Sequence, residues 1–243
     1  MDASNLALFL AAAFVGGLTS GLSGFAMGLV VSGVWLHIVT PTQTAALIVL
    51  CGLVTQASGI WKVRHAFEWR AVAPFIVGGA VGVPFGTLLL TSVDQHTLRL
   101  AIGMLLLIYA TYNLARPAMK PVESRLAFDL PIGVANGFIG GLTGLGGIAV
   151  TIWCQLRGGP KDKQRAVFQP VIFATFMMTA ASLGFAGALT VPTLKLYALT
   201  LPALALGLWS GLKLYGKLDD DAFRKAILWL LLVSGVALVA PIR

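Results

Sequence analysis

The side chains of this sequence that could do chemistry are few, and they cluster twice. Thr19, Ser20 and Ser23 stand among Gly16, Gly17, Gly21 and Gly24, and Thr143 stands among Gly140, Gly141, Gly144, Gly146 and Gly147. Hydroxyls and bare glycine backbone supply hydrogen-bond donors, with no acid, base or thiol beside them. That chemistry is anion binding. A helix that restarts after a glycine break turns free N–H groups and its positive dipole end toward the gap. The candidate binding residues are therefore Thr19, Ser20, Gly21, Ser23, Gly24, Thr143, Gly144, Gly146 and Gly147, with Asn136 one helical turn before Gly140. A lone glycine in such a setting more often serves helix packing. It is the pair of matching clusters that points to a site. Gln56, Gln155 and Gln169 are the other polar side chains at depth; Asn136 and Gln169 are balanced between lining a cavity and bonding one helix to the next.

The elements that must hold these clusters are membrane helices. The chain is 58% hydrophobic and 11% charged, against about 25% charged in a soluble domain. Apolar runs recur from Leu6 to Pro241 and leave no room for a soluble domain. The net charge of +8 comes from Lys and Arg in short loops between those runs, a pattern that orients loops and does not suit nucleic acid. No basic segment precedes the first apolar run, so a cleaved signal peptide is not expected. Cys51 and Cys154 fall inside apolar runs and read as small hydrophobes, so neither disulfide, metal nor cofactor is expected. The nine acidic residues and three histidines fall in loops or at span ends. This leaves neither a buried carboxylate relay nor a catalytic cluster, and argues against an enzyme.

Leu6 to Leu36 would be about 46 Å long as one helix, too long for a single crossing and too short for two. A pair of shorter helices joined near Ser20 to Gly24 fits it. Spans follow at 44–61, 71–92 and 98–115, then a charged linker at 116–129. Pro131 to Leu156 repeats the opening with its break at Gly144 to Gly147, and spans at 166–185, 193–212 and 225–241 complete the chain. Residues 1–115 and 130–243 thus form two membrane repeats. Phe14-Val15-Gly16-Gly17-Leu18-Thr19 matches Phe138-Ile139-Gly140-Gly141-Leu142-Thr143. Pro74, Gly78 and Gly82 resemble Pro202, Gly207 and Gly211, and Asp94, Arg99, Ala101 and Ile102 match Asp219, Arg224, Ala226 and Ile227.

Positive charges decide the orientation. If each broken stretch crossed once, Lys and Arg would divide almost evenly between the two sides. If each enters and leaves on the same side, only Arg99, Lys195 and Arg243 oppose all the others. The second arrangement obeys the positive-inside rule, places both termini outside and gives each half an odd number of crossings. The expected fold is an all-α polytopic membrane protein of two inverted repeats, each a broken or re-entrant Gly-rich helical hairpin plus three transmembrane helices.

The duplicated phrase, Gly16-Gly17-Leu18-Thr19-Ser20-Gly21-Leu22-Ser23-Gly24 and Gly140-Gly141-Leu142-Thr143-Gly144-Leu145-Gly146-Gly147, resembles that of the sulfite exporter TauE/SafE family. The total length, the charged central linker and the loop ending Gln164-Arg165-Ala166 are similar too. The first copy departs from the family pattern at Ser23-Gly24-Phe25, where a run of glycines is usual. The resemblance implies a permease of the cytoplasmic membrane moving sulfite, sulfoacetate or other organosulfonates, often outward. The expected partners are a small anion and the bilayer, with no nucleic acid; assembly as a homo-oligomer stays open. The competing readings are an anion channel with the same site and a membrane subunit that transports nothing. A site built only from neutral donors, with no buried Arg or Lys, is expected to hold the anion loosely enough to release it.

Overall fold

Two glycines with left-handed backbone set the architecture. In the computed structural model, Gly24 (φ 84°) ends α1 (Ala3–Ser23) and Gly144 (φ 75°) ends α6 (Asp129–Thr143). Only glycine enters that region without a steric penalty. The helices restart a few residues later as α2 (Met27–Ile38) and α7 (Ile148–Arg157). Each pair folds back on itself. Trp35 Nε1 donates to the Phe9 carbonyl at 3.1 Å and the two rings stack, 4.7 Å between centroids. In the second pair, Trp153 Nε1 donates to Asp129 at 2.9 Å, and Arg157 forms an ion pair with the same carboxylate. Both broken stretches are therefore hairpins whose second helix folds back along the first.

The structure describes residues 2–90, 92, 94–115, 128–157 and 160–215, with isolated positions between 225 and 240. No strand occurs among them. The remaining helices are α3 (Pro41–Val63), followed by a 3-10 turn at Arg64–Ala66, α4 (Trp69–Leu90), α5 (Gln95–Ala115), α8 (Lys161–Phe185) and α9 (Val191–Leu214). Among the described residues α1, α3, α4, α8 and α9 are long and apolar enough to cross a membrane. Residues 116–127 of the expected linker, the acidic run Asp219–Asp221, and Arg224, Ala226 and Ile227 lie outside the described residues, as do eight of the seventeen residues of the last expected span.

Local chemistry explains the helix starts. Thr40 and Gln43 form a reciprocal capping box at α3, with Pro41 at the first helical position, so the helix begins ahead of the expected Thr44. Asp94 caps α5, accepting from the Thr97 N–H at 2.9 Å and its hydroxyl at 2.5 Å, and these bonds hold its carboxyl below the usual range. Pro160 opens α8 at Lys161, five residues before the expected Ala166, which moves Arg165 from a loop into the helix. Val77, Val81, Phe85 and Leu88 form an exposed apolar stripe along α4, suited to lipid, and Trp61, Trp69 and Trp229 also stand exposed.

The helices pair across the two halves. α1 packs on α9, and α6 packs on α4 in the same way. Gly207 meets the Phe14 carbonyl and Leu18 N, while Gly82 meets the Val134 carbonyl and Phe138 N. Gly211 meets the Leu18 carbonyl, and Gly86 meets the Phe138 carbonyl. Backbone thus lies on backbone, which only a missing side chain permits. These contacts also correct the register of the repeat by one helical turn. Gly82 and Gly86, not Gly78 and Gly82, hold the positions equivalent to Gly207 and Gly211. Ser23-Gly24 is equivalent to Thr143-Gly144, so Thr143 does not correspond to Thr19.

Gly82→Leu and Gly207→Leu should each destabilise the protein by about 1–3 kcal/mol or more, because backbone cannot move aside as a flexible side chain can. Gly184→Ala, at an exposed position whose new methyl would lie 3.6 Å from Leu189 Cδ1, should leave the melting midpoint in detergent nearly unchanged. Equal midpoints for all three variants would exclude the close-packing role.

Candidate functional site

At each break a hydroxyl stitches the turn. Ser23 Oγ donates to the Thr19 carbonyl at 2.8 Å and accepts from the N–H groups of Phe25 (3.2 Å) and Ala26 (3.0 Å). Thr143 Oγ1 donates to the Ile139 carbonyl at 2.7 Å and accepts from the Leu145 N–H at 3.0 Å. These residues close orphan groups at the ends of α1 and α6, which hydrocarbon cannot do. Thr19 Oγ1 is engaged by the Val15 and Gly16 carbonyls, and the Ser20 carbonyl accepts from Gly24 N–H at 2.7 Å.

The remaining donors and acceptors come from carboxamides. Gln56 on α3 reaches the first break, its Nε2 donating to the Gly24 carbonyl at 2.8 Å. Asn136 spans the second: its Nδ2 donates to the Gly146 carbonyl at 3.1 Å and to Thr175 Oγ1 at 3.2 Å, and its Oδ1 accepts from Val150 N–H at 3.4 Å. Asn136 ties α6, α7 and α8 together.

The two tips meet. A methyl group on Gly147 would lie 2.7 Å from Ile172 Cδ1 and 3.7 Å from Phe25 Cβ; one on Gly28 would lie 2.7 Å from Leu145 Cδ2. Between the starts of α2 and α7 is a small apolar cleft lined by Phe25, Leu29, Leu105, Leu106, Tyr109, Ile148 and Ile152. Of the expected site residues, the structure places Ser23 and Gly24 at one tip and Thr143, Gly144, Gly146 and Gly147 at the other. Gly146 faces Thr175, and Gly144 lies against the Ala45 backbone. Asn136 supports the second tip from below. Thr19 and Ser20 sit in the last turn and a half of α1, and Gly21 is turned away, against the α9 backbone at Leu208 and Leu212.

The expectation that no cation is buried near the breaks is overturned. Arg165 is 4% exposed, and its Nη2 donates to the Gly21 carbonyl at 3.3 Å. Gln169, one turn further along α8, joins it against Gly24. Asp129, expected at the end of the charged linker, is 1% exposed and paired with Arg157 where the second hairpin opens. The signal for Arg165 was its four-residue spacing from Gln169, legible only once Pro160 is recognised as the helix start. Among the described residues no group of three His, Cys, Asp or Glu could hold a metal.

Asn136→Leu should destabilise the fold by about 1–3 kcal/mol for each buried partner left unpaired, read as a lower melting midpoint; wild-type melting would remove Asn136 from the frame of the second break. No match emerges among curated proteins or solved structures. A family model described as sulfite exporter TauE/SafE matches residues 8–238, a stretch that includes both hairpins and the helices α3, α8, α4 and α9 that clasp them. With the match running through nearly the whole chain, this protein belongs to the sulfite exporter TauE/SafE family.

Proposed function

We propose that the chain is a secondary transporter of small sulfur oxyanions such as sulfite, sulfoacetate or other organosulfonates, exporting them across the cytoplasmic membrane by alternating access around the paired breaks. The observation that carries this reading is the meeting of the two hairpin tips, Phe25 against Gly147 and Gly28 against Leu145, where helices stop and restart between helices contributed by both halves. Interrupted helices at such a junction are how secondary transporters place backbone groups beside a substrate. Membership of a sulfite exporter family directs the reading to sulfur anions. The gathering of basic residues supports an inside end: Lys62 and Arg165 approach the same Tyr215 ring, at 4.7 and 4.2 Å from its centre, which brings the ends of α3 and α9 to the start of α8. On this orientation the halves are inverted and both termini face outward.

Purified protein in liposomes loaded with radiolabelled sulfite should release it with saturable kinetics, and linear, unsaturated flux would favour a channel. Gly147→Leu should abolish that flux while the protein still inserts and elutes as a single species, because the side chain would be driven into Ile172 and Phe25 at the junction. Full flux in a folded Gly147→Leu variant would move the site away from the tips.

A further inference from the structure

The polar side of the first break holds more charge than packing needs. Arg165, Gln169 and Gln56 are 4%, 1% and 2% exposed, and a buried guanidinium is costly unless it is paired. Among the described residues Arg165 has no carboxylate within ion-pair distance. The nearby Asp162 instead accepts from the Tyr215 hydroxyl at 3.0 Å. Arg165 makes one long bond to the Gly21 carbonyl and lies against Tyr215, over its ring face and in contact with its hydroxyl, and its Nε has no partner. A methyl on Gly24 would lie 2.9 Å from Arg165 Nε, 3.0 Å from Nη2 and 2.7 Å from Gln169 Nε2. Three N–H-bearing nitrogens thus converge on one bare Cα.

We propose that Arg165, with Gln169 beside it, forms the charged subsite that takes the sulfite or sulfonate head group at the first break. The Nε and Nη2 edge of a guanidinium carries two parallel N–H donors that match two oxygens of one head group. A third oxygen of the pyramidal or tetrahedral group falls to Gln169 Nε2. The second break has no counterpart. With Gly24 equivalent to Gly144 and the start of α3 equivalent to that of α8, Arg165 corresponds to Ala45 and Gln169 to Val49, both fully apolar and buried. The anion is therefore held by charge at the first break only, and by a cation whose present partners, Tyr215 and one backbone carbonyl, are neutral.

This subsite rests on the transport reading, and its test separates the two. Sodium sulfite and sodium ethanesulfonate are titrated calorimetrically into the full chain in detergent. Arg165→Gln should weaken both at least tenfold, and Arg165→Lys, which keeps the charge but not the fork, should fall between. Lys213→Gln, which removes a cation stacked on Trp209 at the same end, should bind as wild type. Wild-type affinity in Arg165→Gln with a native melting midpoint overturns the subsite and leaves the transport reading standing. If Arg165→Gln does not fold, Gln169→Leu carries the test: a loss of at least threefold supports the subsite, and unchanged affinity overturns it. A wild-type protein that neither binds nor moves either anion overturns the transport reading itself.

Discussion

A helix interrupted in apolar surroundings must find partners for every backbone group it frees, and this structure depends on how that is done at two places. Hydrocarbon offers none, and each unsatisfied group costs on the order of several kcal/mol. Ser23 and Thr143 solve the near side of each break in the same way, one hydroxyl bonding back to its own helix and forward to the turn. The far side is solved differently. The first break borrows Gln56 from α3, while the second uses Asn136 from its own hairpin, which makes the second tip the more self-contained.

The glycine rows are the second dependence. Because α1 packs on α9 and α6 on α4 through bare backbone, each hairpin is seated on a helix of the other sequence half. The halves read from the sequence are interlocked in space. Rocking that kept each half rigid would shear both Gly-lined contacts at once. Motion that kept α1 and α2 with α9, and α6 and α7 with α4, would leave both intact and would part the tips where Phe25 meets Gly147.

Much of this was legible in the residues. The awkward length of Leu6–Leu36 implied a break, and the two phrases marked where the helices turn. The register was misread by one turn for a physical reason: glycines spaced by four along an apolar helix look alike after a shift of four, since that spacing nearly returns to the same face. The αL caps at Gly24 and Gly144 break the degeneracy, and a backbone dihedral is not written in composition. The roles of Thr19, Ser23 and Thr143 were hidden likewise. A hydroxyl beside a break can serve a ligand or its own backbone, and only geometry shows the bonds it makes.

Arg165 was hidden by the counting of charges loop by loop. Counting it as one of many basic residues in loops gave the wrong depth, because charge counts record loops and ignore where a helix begins. A near-symmetric scaffold makes that depth consequential. Were both breaks lined alike, an anion passing between them would meet two equal wells. Here the equivalent of Arg165 is Ala45, fully buried beside Gly144, so the electrostatic well is one-sided. The difference between the two tips lies in the side chains of α3 and α8, with Arg165 and Gln169 against Gly24 and Ala45 against Gly144, and not in the duplicated glycines.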